Sequence, residues 1–224
     1  MGDAAVTMLN TSTEENRLRE EIAEIGRSFR QLGMAPGTSG NISAKLDNGW
    51  LMTPTNASLG ALDPAEISKL DWDGNLITGK PPTKESFLHR AFYDQRADAG
   101  GIIHLHATHS SAVSCLNGLD PHSCLPPITP YFVMRVGRLP LIPYYRPGDP
   151  ALGEAVREYA ANYSAVLLAN HGPVVAGKTL EAARNAIEEL EETAKLFLLL
   201  RQHDVRTLNE DDIEALRQAF GASW

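Results

Sequence analysis

The sequence predicts an α/β fold built on a mixed, mostly antiparallel sheet that carries helices on its faces. Three observations lead there. Short β segments joined by tight turns fill the first third of the chain, and strand and helix patterns alternate through the remainder. The glycines between Gly33 and Gly40 do not form a G-x-G-x-x-G run between a strand and a helix, so a doubly wound dinucleotide fold has no support.

After a polar tail, Ser12-Thr-Glu-Glu15 reads as a capping box, and Leu18, Ile22, Ile25, Phe29 and Leu32 recur at helical spacing until Gly33 stops the helix. Segments 41–46 and 50–53 then form a hairpin pattern around Asp47-Asn-Gly49, and 67–71 with 76–78 repeat it around Asp73-Gly-Asn75. A helix is expected over about 84–96, followed by an apolar strand from Gly101, a helix over 108–116 and a proline-rich connection through Pro121, Pro126, Pro127 and Pro130. A strand at 141–144, a helix over 150–161 and a strand over 165–169 come next. Residues 174–176 lead into a long helix over 179–202, and a short helix capped at Asn209 closes the chain.

A length of 224 residues with 43% hydrophobic and 21% charged content fits one globular domain spanning 1–224. The formal charge of −8 argues against a nucleic-acid or anionic-membrane surface, which would need a basic stripe. Cys115 and Cys124 are too few for a disulfide framework, no apolar run follows a basic patch near the first residue, and no segment has the length of a membrane span. The expectation is an unanchored protein of the reducing cytoplasm.

The chemistry concentrates in Gly101-Ile-Ile-His-Leu-His-Ala-Thr-His-Ser110. Two histidines two residues apart on an apolar strand point to the same face. Neighbouring imidazoles repel when both are protonated, whereas a cation turns their lone pairs into bonds of about 2 Å. A third histidine, His171, follows the apolar segment Ala165-Val-Leu-Leu-Ala-Asn170, and Glu85 opens a helix in Thr83-Lys-Glu85-Ser-Phe-Leu-His. His104, His106 and His171 therefore form a candidate divalent-metal site, with Glu85 as fourth ligand or acid/base. The ligand types do not choose among zinc, cobalt, manganese and iron. Taken alone, Glu85 reads rather as an ordinary first-turn acid favoured by the helix dipole, and its claim to the site rests on the family resemblance given below. His89, His109, His122 and His203 read as structural, with His109 either beside the cluster or capping its own turn.

Gly37-Thr-Ser-Gly-Asn-Ile-Ser43 crowds small donors onto a glycine-flexible turn, as a phosphate-holding nest requires. Thr53-Pro-Thr-Asn-Ala-Ser58 and Pro82-Thr-Lys84 add two hydroxyl-bearing turns, and Lys84 brings a cation beside Glu85. Three such turns suggest a phosphorylated substrate.

These blocks resemble the class II aldolase family, the group of L-fuculose-phosphate aldolase and L-ribulose-5-phosphate 4-epimerase. Gly37-Thr-Ser-Gly-Asn-Ile-Ser43, Thr53-Pro-Thr55, Glu85, His104-Leu-His106 and Asn170-His-Gly172 occur in that family's order over nearly the whole chain. The resemblance implies a three-layer α/β/α fold and a metal, commonly zinc, held by His104, His106 and His171. It also implies that Glu85 is an acid/base able to ligate the metal, and that substrate phosphate is held by Ser39, Gly40, Asn41, Thr55, Asn56, Thr83 and Lys84. Asn56 stands where many relatives have glycine, but asparagine tolerates the left-handed conformation and keeps the turn possible. The resemblance further implies a cyclic homotetramer with sites between subunits, completed by a neighbour's Tyr131.

Within the family, the stretches Leu125-Pro-Pro-Ile-Thr-Pro-Tyr-Phe-Val-Met-Arg-Val-Gly-Arg138, Pro143-Tyr-Tyr-Arg-Pro-Gly-Asp149 and Glu188-Glu-Leu-Glu-Glu-Thr-Ala-Lys195 look most like the 3-oxo-tetronate 4-phosphate decarboxylase branch. That branch implies release of carbon dioxide and dihydroxyacetone phosphate through a metal-stabilised enediolate, the electron sink that aldol cleavage also uses. A sugar-phosphate aldolase or epimerase would keep the same metal and phosphate groups. A non-catalytic domain like the adducin head shares the family's fold, but retention of all three histidines and Glu85 argues against it. Arg135, Arg138 and Arg146 are candidates to face the substrate carboxylate, with no firm role for any.

Overall fold

The computed structural model of the chain describes the backbone of residues 2–224 and the side chains of residues 13–224. It contains seven α-helices and eight strands among those residues. Helix α1 (Gly2–Gln31) runs straight through the expected capping box, which corrects the predicted start. Ser12 lies outside the described side chains. Glu15 instead pairs with Arg19 one turn on and with Lys69 of the sheet, at 2.7 Å each.

The strands β1 (Asn41–Leu46), β2 (Gly49–Met52), β3 (Ser68–Leu70) and β4 (Leu76–Thr78) follow as the two expected hairpins. Then come α2 (Ser86–Gln95), β5 (Gly101–His104), α3 (Thr108–Ser114), α4 (Pro130–Arg135), β6 (Leu141–Ile142), α5 (Pro150–Ala160), β7 (Ala165–Leu168), β8 (Gly172–Gly177), α6 (Leu180–Leu200) and α7 (Glu210–Phe220). Two expectations change. A helix, α4, stands inside the stretch expected to be a proline-rich connection: Thr129 caps it through the Phe132 N–H and Pro130 takes the first position, where its missing N–H costs nothing. Strand β5 ends at His104, so His106 lies beyond it.

The sheet order is β4-β3-β2-β1-β5-β8-β7-β6, antiparallel throughout except for β6 against β7. The sheet is thus mixed and mostly antiparallel. Helices α1, α3, α4 and α6 cover one face around Phe29, Ile42, Ile103, Phe132 and Ile187, while α2 and α5 cover the other around Trp50, Phe92, Ile102, Leu152 and Val166. Period-two alternation sorts each strand between the layers: in β1, Ile42, Ala44 and Leu46 enter the first core, which leaves Asn41, Ser43 and Lys45 facing α2. Among the described residues, no helix is long and apolar enough to cross a membrane.

Candidate metal centre

Strand β5 lies at the centre of the sheet, with His104 opposite Asn41 of β1 and Val174 of β8. Alternation puts Ile103 and Leu105 into the core under α1 and α6 and turns His104 to the α2 side, where it is fully buried. Past the strand end, the Leu105 N–H still reaches the Pro173 carbonyl at 3.4 Å, so the chain stays extended and His106 returns to the same side as His104.

His171 arrives from the β7–β8 turn. Asn170 there takes a left-handed φ of 56°, and Gly172 passes so close to Leu105 that an added Cβ would sit 2.3 Å from its carbonyl oxygen. Helix α3 clamps this turn: Ser114 Oγ accepts from the His171 N–H (3.1 Å) and Ser111 Oγ donates to the His171 carbonyl (2.9 Å). The helix that begins two residues after His106 thus holds the third imidazole in place.

The three Nε2 atoms form a triangle with sides of 3.0, 3.2 and 2.9 Å. His104 Nδ1 donates to the Pro173 carbonyl at 2.8 Å, which leaves its Nε2 as a lone pair turned inward. Three facing nitrogens cannot each carry a hydrogen, since every N–H needs a lone pair opposite it. Lone pairs turned inward on three rings, with a carboxylate alongside, are the donor set of a divalent cation. Burial holds His104 well below the ordinary histidine range, with His171 and His106 adding to the effect. Burial, and then His171, pushes His106 down to about 4. His171 is also lowered by burial, against the opposing pull of Glu85. Neutral rings are the ligating form.

Glu85 precedes α2 as its N-cap but makes no capping hydrogen bond. Its carboxylate turns instead into the cluster, with Oε1 3.4 Å from His171 Nε2 and Oε2 3.7 Å from His104 Nε2. Its side chain thus makes no capping bond of the kind a first-turn acid can make. The ligand atoms of Glu85, His104, His106 and His171 all lie within 4.8 Å of one another, so the group could hold a metal ion. His104 closes the buried side of the group, while Glu85, His106 and His171 are partly exposed and leave the other side open.

The hydroxyl-bearing turns adjoin this cluster. Gly40 (φ 83°) passes over His104, where a Cβ would meet the His104 carbonyl at 3.0 Å. Thr53 bonds reciprocally with Ile42, and an antiparallel bridge of Pro54 to Pro82 joins the two other turns, with the Thr55 N–H on the Pro81 carbonyl and the Thr83 N–H on the Thr53 carbonyl. Asn56 takes the left-handed conformation with φ 57°, as expected of its place in the turn. Ser39 Oγ donates to the Pro36 carbonyl (2.6 Å), and Thr83 Oγ1 accepts from the Glu85 N–H (3.3 Å). The Asn41 amide is buried and donates to Glu85 Oε2 at 2.9 Å.

Comparison with known proteins agrees with this geometry. Residues 20–198 match the family described as class II aldolase and adducin N-terminal domain. The chain belongs to the class II aldolase family. Its relatives include the 3-oxo-tetronate 4-phosphate decarboxylase of Pectobacterium atrosepticum, 49% identical over 91% of this chain and 94% of the relative. The L-fuculose phosphate aldolase of Escherichia coli is 33% identical over 92% of this chain and 95% of its own. Among solved structures, YgbL of Klebsiella pneumoniae, described as an aldolase/epimerase/decarboxylase, superposes with a TM-score of 0.89 at 48% identity, covering 91% of this chain and 99% of its own.

The remaining residues expected to matter sit apart from the four-residue group. Tyr131 stands on the first turn of α4, 56% exposed, with the Arg135 guanidinium 5.4 Å from its ring centre. Arg135 also faces Glu189 at 4.0 Å, Arg138 lies over Trp224, and Arg146 pairs with Asp149. His109 is bonded to Glu191 at the N-terminus of α3. The reading from sequence missed Ser111 and Ser114, which hold the His171 turn, and Ser43 and Tyr93 behind His89. The signal for the second pair was present: Asn41, Ser43 and Lys45 alternate with apolar residues, and Glu85, His89 and Tyr93 recur at helical spacing of four.

Proposed function

We propose that this class II aldolase family member is a metal-dependent carboxy-lyase, converting a 3-oxo-tetronate 4-phosphate to dihydroxyacetone phosphate and carbon dioxide. The observation that carries the reading is the Glu85 carboxylate, turned away from its helix and toward three inward imidazoles. Relatives named for that decarboxylation reach 49% identity, against 33% for those named for fuculose phosphate cleavage, which favours the decarboxylase branch.

In this reading His104, His106 and His171 hold the cation, which we assign as zinc, and Glu85 stands beside it. A bound cation would supply Lewis-acid stabilisation of the charge left when the carbon–carbon bond breaks. The turns of Ser39, Gly40 and Asn41, of Thr55 and Asn56, and of Thr83 and Lys84 bind the phosphate and so fix the reacting end over the histidines. The carboxylate carbon leaves as carbon dioxide, and Glu85 delivers a proton to the carbon it vacates. A partly exposed carboxyl group can exchange that proton with solvent between turnovers.

The same reading takes 1–224 as a single cytoplasmic domain and its assembly as a homotetramer, in which Tyr131 of one copy completes the site of the next. The exposure of Tyr131 on α4 supports that last point. The deciding experiment supplies metal-loaded protein with a 3-oxo-tetronate 4-phosphate and, separately, with L-fuculose 1-phosphate. Release of carbon dioxide from the first is expected. Aldehyde release from the second, without carbon dioxide from the first, would make the protein an aldolase.

A further inference from the structure

Helix α2 and its N-cap residue place Glu85, His89 and Tyr93 at intervals of four along a single stripe, and β1 presents Asn41 and Ser43 to it. The two stripes are joined by four hydrogen bonds: Tyr93 Oη to Ser43 Oγ (2.8 Å), Ser43 Oγ to His89 Nδ1 (2.7 Å), His89 Nε2 to Asn41 Oδ1 (2.6 Å) and Asn41 Nδ2 to Glu85 Oε2 (2.9 Å). His89 and Ser43 are fully buried, and Asn41 and Tyr93 nearly so. We propose that His89 is a positioning residue: backed by Ser43 and Tyr93, it fixes the Asn41 amide and through it the orientation of the Glu85 carboxylate.

The direction of every hydrogen follows from the carboxylate end. A carboxylate oxygen accepts, so the Asn41 NH2 must face Glu85 and the Asn41 carbonyl oxygen must face His89. That oxygen also accepts, so His89 Nε2 carries the ring hydrogen. Burial pushes the His89 pKa down to about 3, so the ring is neutral and Nδ1 is a lone pair. Nδ1 takes the Ser43 hydroxyl hydrogen, and the Ser43 oxygen in turn accepts from the Tyr93 hydroxyl. All four bonds donate toward Glu85.

Reversing the amide would set its oxygen against the carboxylate and its NH2 against the His89 N–H. Both contacts are repulsive, and the one at His89 is buried where no solvent relieves the cost. The lock therefore commits Oε2 to Asn41 and leaves Oε1 facing the histidines. The functional half of this inference rests on the reading of Glu85 as the proton-delivering group; the geometric half does not.

Long-range 15N–1H spectra of the full-length zinc-loaded protein test the geometric half directly. They should show His89 as the neutral tautomer protonated at Nε2, and protonation at Nδ1 instead would overturn the proposal whatever Glu85 does. Turnover tests the functional half. His89→Phe keeps ring volume but removes the donor, and it should lower kcat about 10- to 100-fold, with bound metal retained and KM for the phosphorylated substrate changed less than about threefold. His89→Gln, whose amide nitrogen can stand in for Nε2, should recover most of the loss. In a Glu85→Gln background, His89→Phe should cost nothing further. A loss of equal size there would assign His89 to packing. Ser43→Ala, a smaller change, serves if the Phe variant does not fold, and should relax the tautomer preference in the same spectra. Near-normal turnover of Glu85→Gln alone would remove the proposed role of Glu85 while the tautomer still decides the positioning.

Discussion

Two places in this molecule bring a glutamate to a histidine near the start of a helix, and they do opposite things. Glu85 sits at the N-cap of α2, where sequence position invites a capping role, yet it caps nothing and points into three imidazoles. Glu191 lies mid-way along α6, 82 residues from its partner in the chain, yet its carboxylate accepts from the His109 and Ser110 N–H groups, the Ser110 hydroxyl and the His109 ring. It satisfies the exposed donors of the first turn of α3 as a cap does. The difference lies in what surrounds each acid: Glu85 meets the imidazoles and the Asn41 amide, whereas Glu191 meets a fan of N–H groups. Proximity to a helix start is a poor guide to a carboxylate's role.

Substitutions at the two acids and their histidines should separate the roles. The largest effect is expected at the cluster, where His106→Ala should lower metal content and cut turnover by on the order of 10³, since a Lewis acid contributes several kcal/mol. Retained stoichiometric metal, read by elemental analysis, would break the contrast. Glu85→Gln comes next, with kcat down roughly 10² and a circular dichroism melt close to wild type. The matching change at the other acid, Glu191→Ala, should leave kcat within about threefold and lower unfolding stability by about 1–2 kcal/mol in denaturant titrations, the cost of a lost cap. A turnover loss at Glu191 as large as that at Glu85 would erase the distinction.

His89 sharpens the comparison through acid stability. Its folded pKa of about 3 lies below the ordinary value of 6.5, so the unfolded chain binds a proton that the folded protein refuses. Its contribution is complete above pH 6.5 and is lost as pH falls toward 3. The wild type should therefore lose about 1.4 kcal/mol more per pH unit than His89→Gln within that window. Parallel stability curves for the two proteins between pH 6 and 4 would contradict the buried neutral ring.

Much of the fold was legible because local signals and tertiary context agreed. Asp47-Asn-Gly49 and Asp73-Gly-Asn75 sit at the turns of β1–β2 and β3–β4, and Asn209 closes a reciprocal capping box on α7. The α4 helix escaped because the prolines leading up to it hid a Thr-Pro start that itself favours a helix. The Ser12 box failed for the converse reason: the motif is present, but the backbone is already helical before it and continues through it. The convergence of His104, His106, His171 and Glu85 could be read from spacing and resemblance. The clamp from Ser111 and Ser114 could not, because it joins residues 57 and 60 positions apart through a turn whose path depends on the whole sheet.

The pairing of β5 carries a kinetic consequence. Hairpins β1–β2 and β7–β8 close over a few residues each, but β5 must insert between β1 and β8, partners about 60 and 70 residues away in the chain. Loop-closure entropy makes such insertion late, because the two hairpins can form before either has its neighbour. Glu85 and Asn41 wait on one side of that gap and His171 on the other. Metal affinity therefore belongs to the last step of folding, and a cation added to a partly folded chain finds at most two of its three imidazoles close together.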